Sequence, residues 1–259
     1  MASRSSASDL AGSPRDSHGE AAISRAFVDL HCHTNASFDS LSSPADVVRA
    51  AAERGLTHLA ITDHDRIDGA LAARDAAPAG LTVIVGEEIR TANGDLIAVF
   101  LERPIPPGLP AADAIAAARE QGGLVGIPHP FDRFRGSLGR DGERAAALDA
   151  LAPLVDWVEA YNPRIVGGSG NERAADLAAR HGLPGVAVSD AHSIVEVAVA
   201  YTAMSGDPAT AEGLRSALAS AELVPGRASF VVRAFTPVAK AVQRLRGNRR
   251  IRPPVDVGR

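Results

Sequence analysis

The strongest constraint on this chain is a rhythm. Short apolar runs of strand length alternate with alanine-rich stretches of helical pattern over about 200 residues. The runs are "FVDLHCH", "HLAITDH", "LTVIVGEEI", "DLIAVFL", "LVGIPHP", "WVEAYN" and "GVAVSDAH". Helical patterns fall between most of them, over Pro44–Arg54, Ile67–Ala76, Ala111–Gln121, Glu143–Ala152 and Glu172–Arg180, with a later one over Pro208–Ser220. The first of these has Ser43 as N-cap, Pro44 at the first helical position and Gly55 as the stop. One junction breaks the rule: in "GEEIRTANGDLIAVF", Asn93-Gly94 separates two strand patterns as a hairpin turn does. The alternation specifies an α/β fold with a largely parallel sheet covered by helices, open or closed into a barrel.

A chain of 259 residues suits one such domain. The single cysteine excludes an intrachain disulfide. The first 26 residues are rich in Ser, Ala, Gly and charge, and hold no apolar run long enough for a signal peptide or membrane span. The expected organisation is a disordered leader over 1–26, one barrel domain over 27–236 and a basic tail over 237–259, in a cytoplasmic protein without an integral membrane segment. The formal net charge of −4 divides unevenly, because residues 237–259 sum to +6 and leave −10 on the rest. An acidic body suits cation capture and argues against broad binding to a phosphate backbone.

The ionisable residues gather where the apolar runs end. His31 and His33 close the first run, Asp63, His64 and Asp65 the second, Glu87 and Glu88 the third. His129 follows "LVGIP", Glu159 to Asn162 follow "VDWV", and Asp190 and His192 follow "GVAVS". In a parallel barrel those ends share one face, the one where such folds build active sites. Alternate residues of a strand point the same way, so His31 and His33 reach one centre while Cys32 turns to packing. Asp190 and His192 repeat the spacing. Imidazole nitrogen with carboxylate oxygen suits Zn, Mn or Fe, and a bridging carboxylate such as Glu88 allows more than one ion. His58 and His181 read as structural, and Trp157 as core.

With "DLHCHTNASFD", "LAITDHD", "VGEEI", "IPHPFD", "VEAYNPR" and "VSDAH" in this order, the sequence resembles the polymerase-and-histidinol-phosphatase (PHP) family of metal-dependent phosphoesterases, in its small stand-alone form. The resemblance implies a distorted (β/α)7 TIM-like barrel with two or three divalent metal ions. It assigns a first ion to His31, His33, Glu88 and Asp190, and a second to Glu88 and His129. A third falls to Asp39, His64 and His192. His31, His33, Glu88, His129, Asp190 and His192 would form the catalytic centre. Many members have a further histidine between the Glu and "PHP"-type motifs; here none lies between His64 and His129, and Asp95 is the nearest substitute.

The expected activity is hydrolysis of a small phosphorylated metabolite or nucleotide by a metal-activated water. Arg133, Arg135 and Arg164 lie just beyond strand-end motifs as candidate phosphate contacts. Asp63 and Asp65 are candidates for orienting metal-bound histidines. The alternatives are an oligonucleotide 3'-5' exonuclease, a carboxylate-bridged amidohydrolase, and a catalytically silent metal-binding regulatory module. A carbamylated-lysine amidohydrolase is excluded, because the only lysine is Lys240, outside the barrel motifs. In the basic tail Val238, Val242 and Leu245 share one helical face, which predicts a short docking helix with a solvated basic side. The competing reading is a weak anionic partner such as nucleic acid or a membrane surface.

Overall fold

The computed structural model describes residues 24–132, 137–138, 148–165, 168–227 and 235–251. Seven strands follow the apolar runs: β1 (Arg25–Asp29), β2 (His58–Ile61), β3 (Thr82–Arg90), β4 (Asp95–Val99), β5 (Leu124–Ile127), β6 (Trp157–Tyr161) and β7 (Gly185–Ala187). The helices are α1 (Pro44–Glu53), α2 (Asp68–Asp75), α3 (Ala111–Glu120), α4 (Gly170–His181), α5 (Ala211–Ala217) and α6 (Phe235–Leu245). Of the helix expected over 143–152, residues 143–147 lie outside the described residues and 148–151 are helical. At the start of α1 the Ser43 hydroxyl accepts from the Asp46 N–H at 3.2 Å, and Gly55 follows the helix at φ 83°.

Two further strands, β8 (Tyr201–Ser205) and β9 (Glu222–Val224), complete one sheet in the order β7-β6-β5-β4-β3-β2-β1-β8-β9. Pairing is parallel except around β4, which runs against both β3 and β5, and at β8 and β9. The reversal of β4 follows from the Asn93-Gly94 hairpin. The sheet curls into a nearly closed barrel. β8 pairs with β1 over Arg25 to Val28, and beyond the strand's end the chain following β7 pairs with residues 31–33. There the Asp190 N–H donates to the His31 carbonyl and the His33 N–H to the Ala191 carbonyl, each at 2.9 Å.

Side-chain alternation then sorts the strands. Leu30, Ala60, Ile84, Ile97, Leu124, Trp157 and Val186 fill the barrel interior as one buried cluster. Leu59, Val83, Leu96, Val125 and Val158 face the helices in another. Continuing the inward set towards the C-terminal ends of the parallel strands reaches His64, Glu88, Glu159 and Asp190. On reversed β4 the same parity places Asp95 at the mouth, at the strand's beginning. After Leu30 the parity of β1 switches, since Cys32 joins the outer cluster and His31 and His33 turn inward.

The docking face of α6 differs from the sequence expectation. Ala239 and Gln243 are its buried residues, whereas Val238 and Leu245 are exposed. The loop over residues 35–40 beneath it offers backbone carbonyls, which need donors rather than apolar cover.

Gly126 sits beside Trp157 in the β5–β6 register, and a Cβ there would lie 2.1 Å from the indole Cε2. Trp157 fills the barrel where Gly126 leaves room. Gly126→Ala is therefore expected to destabilise the fold by about 1–3 kcal/mol through overpacking. Denaturant unfolding followed by the single tryptophan measures this; an unchanged midpoint would show that the indole yields without cost.

Candidate metal centre

The inward residues meet around Glu88. Its Oε2 lies 3.4 Å from His31 Nε2, 3.4 Å from His33 Nε2 and 3.1 Å from His64 Nδ1, while Oε1 lies 3.2 Å from His129 Nε2. Asp190 Oδ1 is 3.6 Å from Nε2 of both His31 and His33. On the outer flank, Asp39 Oδ2 is 3.3 Å from His64 Nε2 and 3.3 Å from His192 Nε2. All of these residues are buried, and His64 and His192 are the most open at 8% and 7% exposed.

The donors fall into three overlapping groups that can hold an ion: His31, His33 and Glu88; His31, His129 and Asp190; and His33, Asp39, His64 and His192. Within each group the ligand atoms lie within 4.8 Å of one another. Nitrogen and carboxylate oxygen suit borderline divalent metals. His31 Nε2 and His33 Nε2 face each other at 3.0 Å, so two lone-pair positions aim at one point. The residues present fit divalent ions.

The electrostatics are those of buried charges compensating one another. Burial pulls the His31 imidazolium down, but Glu159 and Glu88 outweigh it and push it up to about 10. Burial first, and then the neighbouring imidazoles of His192, His64 and His31, hold His33 well below the usual range. Burial opposes ionisation of Glu88 and Asp39, yet surrounding histidines hold both carboxyls well below the ordinary value. Burial and then Arg164 lower His192 to about 4. Glu87, next to Glu88 but on the opposite face of β3, shows the contrary case. Burial pushes it up to about 8 against one hydrogen bond from the Ile105 N–H, leaving it a neutral core carboxyl at neutral pH.

Glu159 received no role from its sequence position. Its Oε1 lies 2.6 Å from His31 Nδ1, and its Oε2 accepts from the His129 N–H at 2.9 Å and from Asn162 Nδ2 at 3.1 Å. Asn162 also donates to Asp190 Oδ2 at 2.9 Å. A carboxylate behind a histidine fixes its tautomer and aims the other nitrogen at the centre. The available signal was a lone carboxylate inside the apolar run "WVEAY". Asp63 and Asp65, by contrast, hold backbone and tail rather than histidines. Asp63 accepts from the Thr34 N–H and hydroxyl, both at 2.6 Å, and Asp65 from the Arg90 N–H at 2.8 Å and Arg250 Nε at 3.1 Å.

Asp95 stands apart from the three groups and accepts from Arg250 Nη2 at 2.9 Å. Arg164 is bound to the Glu196 carboxylate, and its Nη2 donates to Thr236 Oγ1 at 2.8 Å. Arg133 and Arg135 lie outside the described residues. Asp65, His129 and Asp190 adopt φ of 57°, 27° and 51°, a region that costs non-glycine residues roughly 1–3 kcal/mol each. His129 and Asp190 meet in one of the three groups, whereas Asp65 turns to Arg90 and Arg250.

Two outcomes follow from this geometry. Glu159→Gln is expected to weaken divalent-metal affinity by about 10–100-fold, as loss of an orienting carboxylate does elsewhere; competition with a chelating dye measures it. Saturation with metal at 100 times its dissociation constant should add about 3 kcal/mol of stability, lost on chelation. Thermal melts with and without chelator check this, and identical melts would exclude a bound ion.

Comparison with known proteins places the chain in a family. The PHP domain model matches residues 29–162, and the PHP-associated model residues 160–223. An uncharacterised protein of Methanocaldococcus jannaschii is 34% identical over 145 residues, covering 52% of this chain and 80% of that protein. The error-prone DNA polymerase of Mycobacterium tuberculosis is 30% identical over 209 residues, covering 64% of this chain and 19% of the polymerase. Among solved structures, a Bacteroides vulgatus two-domain protein containing a predicted PHP-like metal-dependent phosphoesterase superimposes with a TM-score of 0.66. That match has 20% identity and covers 79% of this chain and 66% of the other. Matched by the family model from the end of β1 to the end of β6, and by its companion beyond, this chain belongs to the PHP domain family.

Proposed function

We propose that this chain is a divalent-metal-dependent phosphoesterase acting on a small phosphorylated metabolite or nucleotide, either a phosphomonoester or a nucleoside bisphosphate. The observation that carries the reading is the convergence of imidazoles and carboxylates on buried Glu88 at the barrel mouth. In this reading His31, His33, Glu88 and Asp190 hold one ion, and Glu88 with His129 a second. Asp39, His64 and His192, with His33 alongside, hold a third. Manganese, zinc and iron all suit the donors. Bound divalent ions supply Lewis acidity at phosphoryl oxygen and a water that is ionised near neutral pH.

The protein's own groups prepare that chemistry. Glu159 keeps the Nδ1 proton of His31, so Nε2 is the nitrogen turned to the centre. The Asp190 carbonyl, 2.9 Å from His192 Nδ1, does the same for His192 and leaves Nε2 towards Asp39. His31, His129 and Asp190 are fully buried, and His33 nearly so, whereas His64 and His192 retain some exposure. Substrate therefore enters from the Asp39–His64–His192 side. α6 lies over that side and narrows it, which favours a small phosphorylated molecule.

Similarity to an error-prone DNA polymerase, a protein named for work on DNA, supports a nucleic-acid substrate as the second reading, with hydrolysis at the end of an oligonucleotide. A panel of nucleotides, sugar phosphates, short oligonucleotides and cyclic amides, offered to metal-loaded protein, separates these readings from amidohydrolase chemistry. Phosphate release from small monoesters is the expected result. Replacing His31 and His33 together by Ala should remove bound metal, by elemental analysis, and reduce phosphate release to background. Full activity in that variant would overturn the proposal, and a metal-replete protein silent across the panel would favour a regulatory module.

A further inference from the structure

The C-terminal segment is bound across the mouth of the barrel by polar contacts to the loops that carry the site. Gln243, 2% exposed, donates through Nε2 to the carbonyls of Asn35 at 2.7 Å, Ser37 at 3.0 Å and Ser40 at 2.7 Å. Asn248 Nδ2 donates to the Ala36 carbonyl at 3.0 Å. Arg250 spans Asp65 and Asp95, and Thr236 at the other end accepts from Arg164. The strap is thus anchored on the strand ends of β6 and β2, on the start of β4, and on the loop carrying Asp39. None of these anchors uses Lys240.

Lys240 projects from the middle of the strap. Its Nζ lies 3.9 Å from Asp39 Oδ2 and 5.2 Å from the centroid of Phe38, and its side chain is 49% exposed. It is the one lysine in the chain, on the side from which substrate enters. An ammonium has three donors, and among the described residues its one ion pair, at 3.9 Å, leaves donors for an incoming anion. Resting on the phosphoesterase reading, we propose that Lys240 is a substrate-binding residue whose ammonium binds a phosphoryl oxygen at the His33–Asp39–His64–His192 group. The strap holds it there, so the C-terminal helix is part of the active site and not an appendage.

The test uses full-length, metal-loaded protein and inorganic phosphate as the probe. In Lys240→Met, phosphate affinity by calorimetry should fall roughly tenfold or more, as expected for one lost charge-assisted hydrogen bond. Metal content and melting temperature should stay at wild-type values, and Lys240→Arg should recover part of the affinity. With a substrate from the panel, KM should rise more than kcat falls. Unchanged phosphate affinity in Lys240→Met would overturn the role of Lys240 while leaving the phosphoesterase reading intact. Loss of metal in that variant would also overturn it, by assigning Lys240 to the integrity of the site. Wild-type protein that neither binds phosphate nor turns over any phosphoester would overturn both.

Discussion

The site depends on the Glu88 carboxylate being surrounded. Four imidazoles lie within 3.4 Å of its oxygens, all of them buried. Any one of these groups buried alone would carry a large desolvation cost. Together they supply opposite charge and hydrogen bonds, and several are held in turn from behind: His31 by Glu159, His192 by the Asp190 backbone, Asp190 by Asn162. The network has few places where one member can be changed without stranding another.

The barrel makes that network geometrically available. One set of inward positions is apolar low in the barrel and ionisable at its mouth, so the strands that build the core also build the site. The reversed β4 brings the beginning of a strand to the mouth, and with it Asp95. That carboxylate meets Arg250 from the strap, whose guanidinium also serves Asp65. A region rich in negative charge therefore receives part of its compensation from the chain's own basic segment, in keeping with the opposite charges of body and tail.

Much of this was legible in the sequence. The βα alternation, the Asn93-Gly94 reversal and the polar strand ends each have a local cause that periodicity or turn chemistry reports. The His31–His33 spacing puts both side chains on one face, where their nitrogens meet at 3.0 Å. Other features depend on tertiary surroundings. β8 and β9 are short and bear no regular polar alternation; β8 is held by antiparallel pairing with β1, and β9 in turn by pairing with β8. Glu159 looked like any carboxylate at a strand end until the fold put His31 against it. Asp63 and Asp65 were expected behind histidines, but Thr34 and Arg90 present nearer N–H groups. On α6 the Val238–Val242–Leu245 stripe pointed to the wrong face, because the surface beneath is a row of carbonyls that Gln243 satisfies and valine cannot.

The closure of the barrel between β1 and the segment after β7 has a consequence in time. Asp29 and Ser189, hydrogen-bonded across that seam, are separated by 160 residues. Contacts of such range form late, since a long loop must close before they contribute. A nascent chain that has not yet emerged past Asp190 has both histidines of its first motif but lacks the wall that completes their pocket. An ion site that needs Asp190 and His192 as well as His31 and His33 is therefore complete only once this long-range seam has closed.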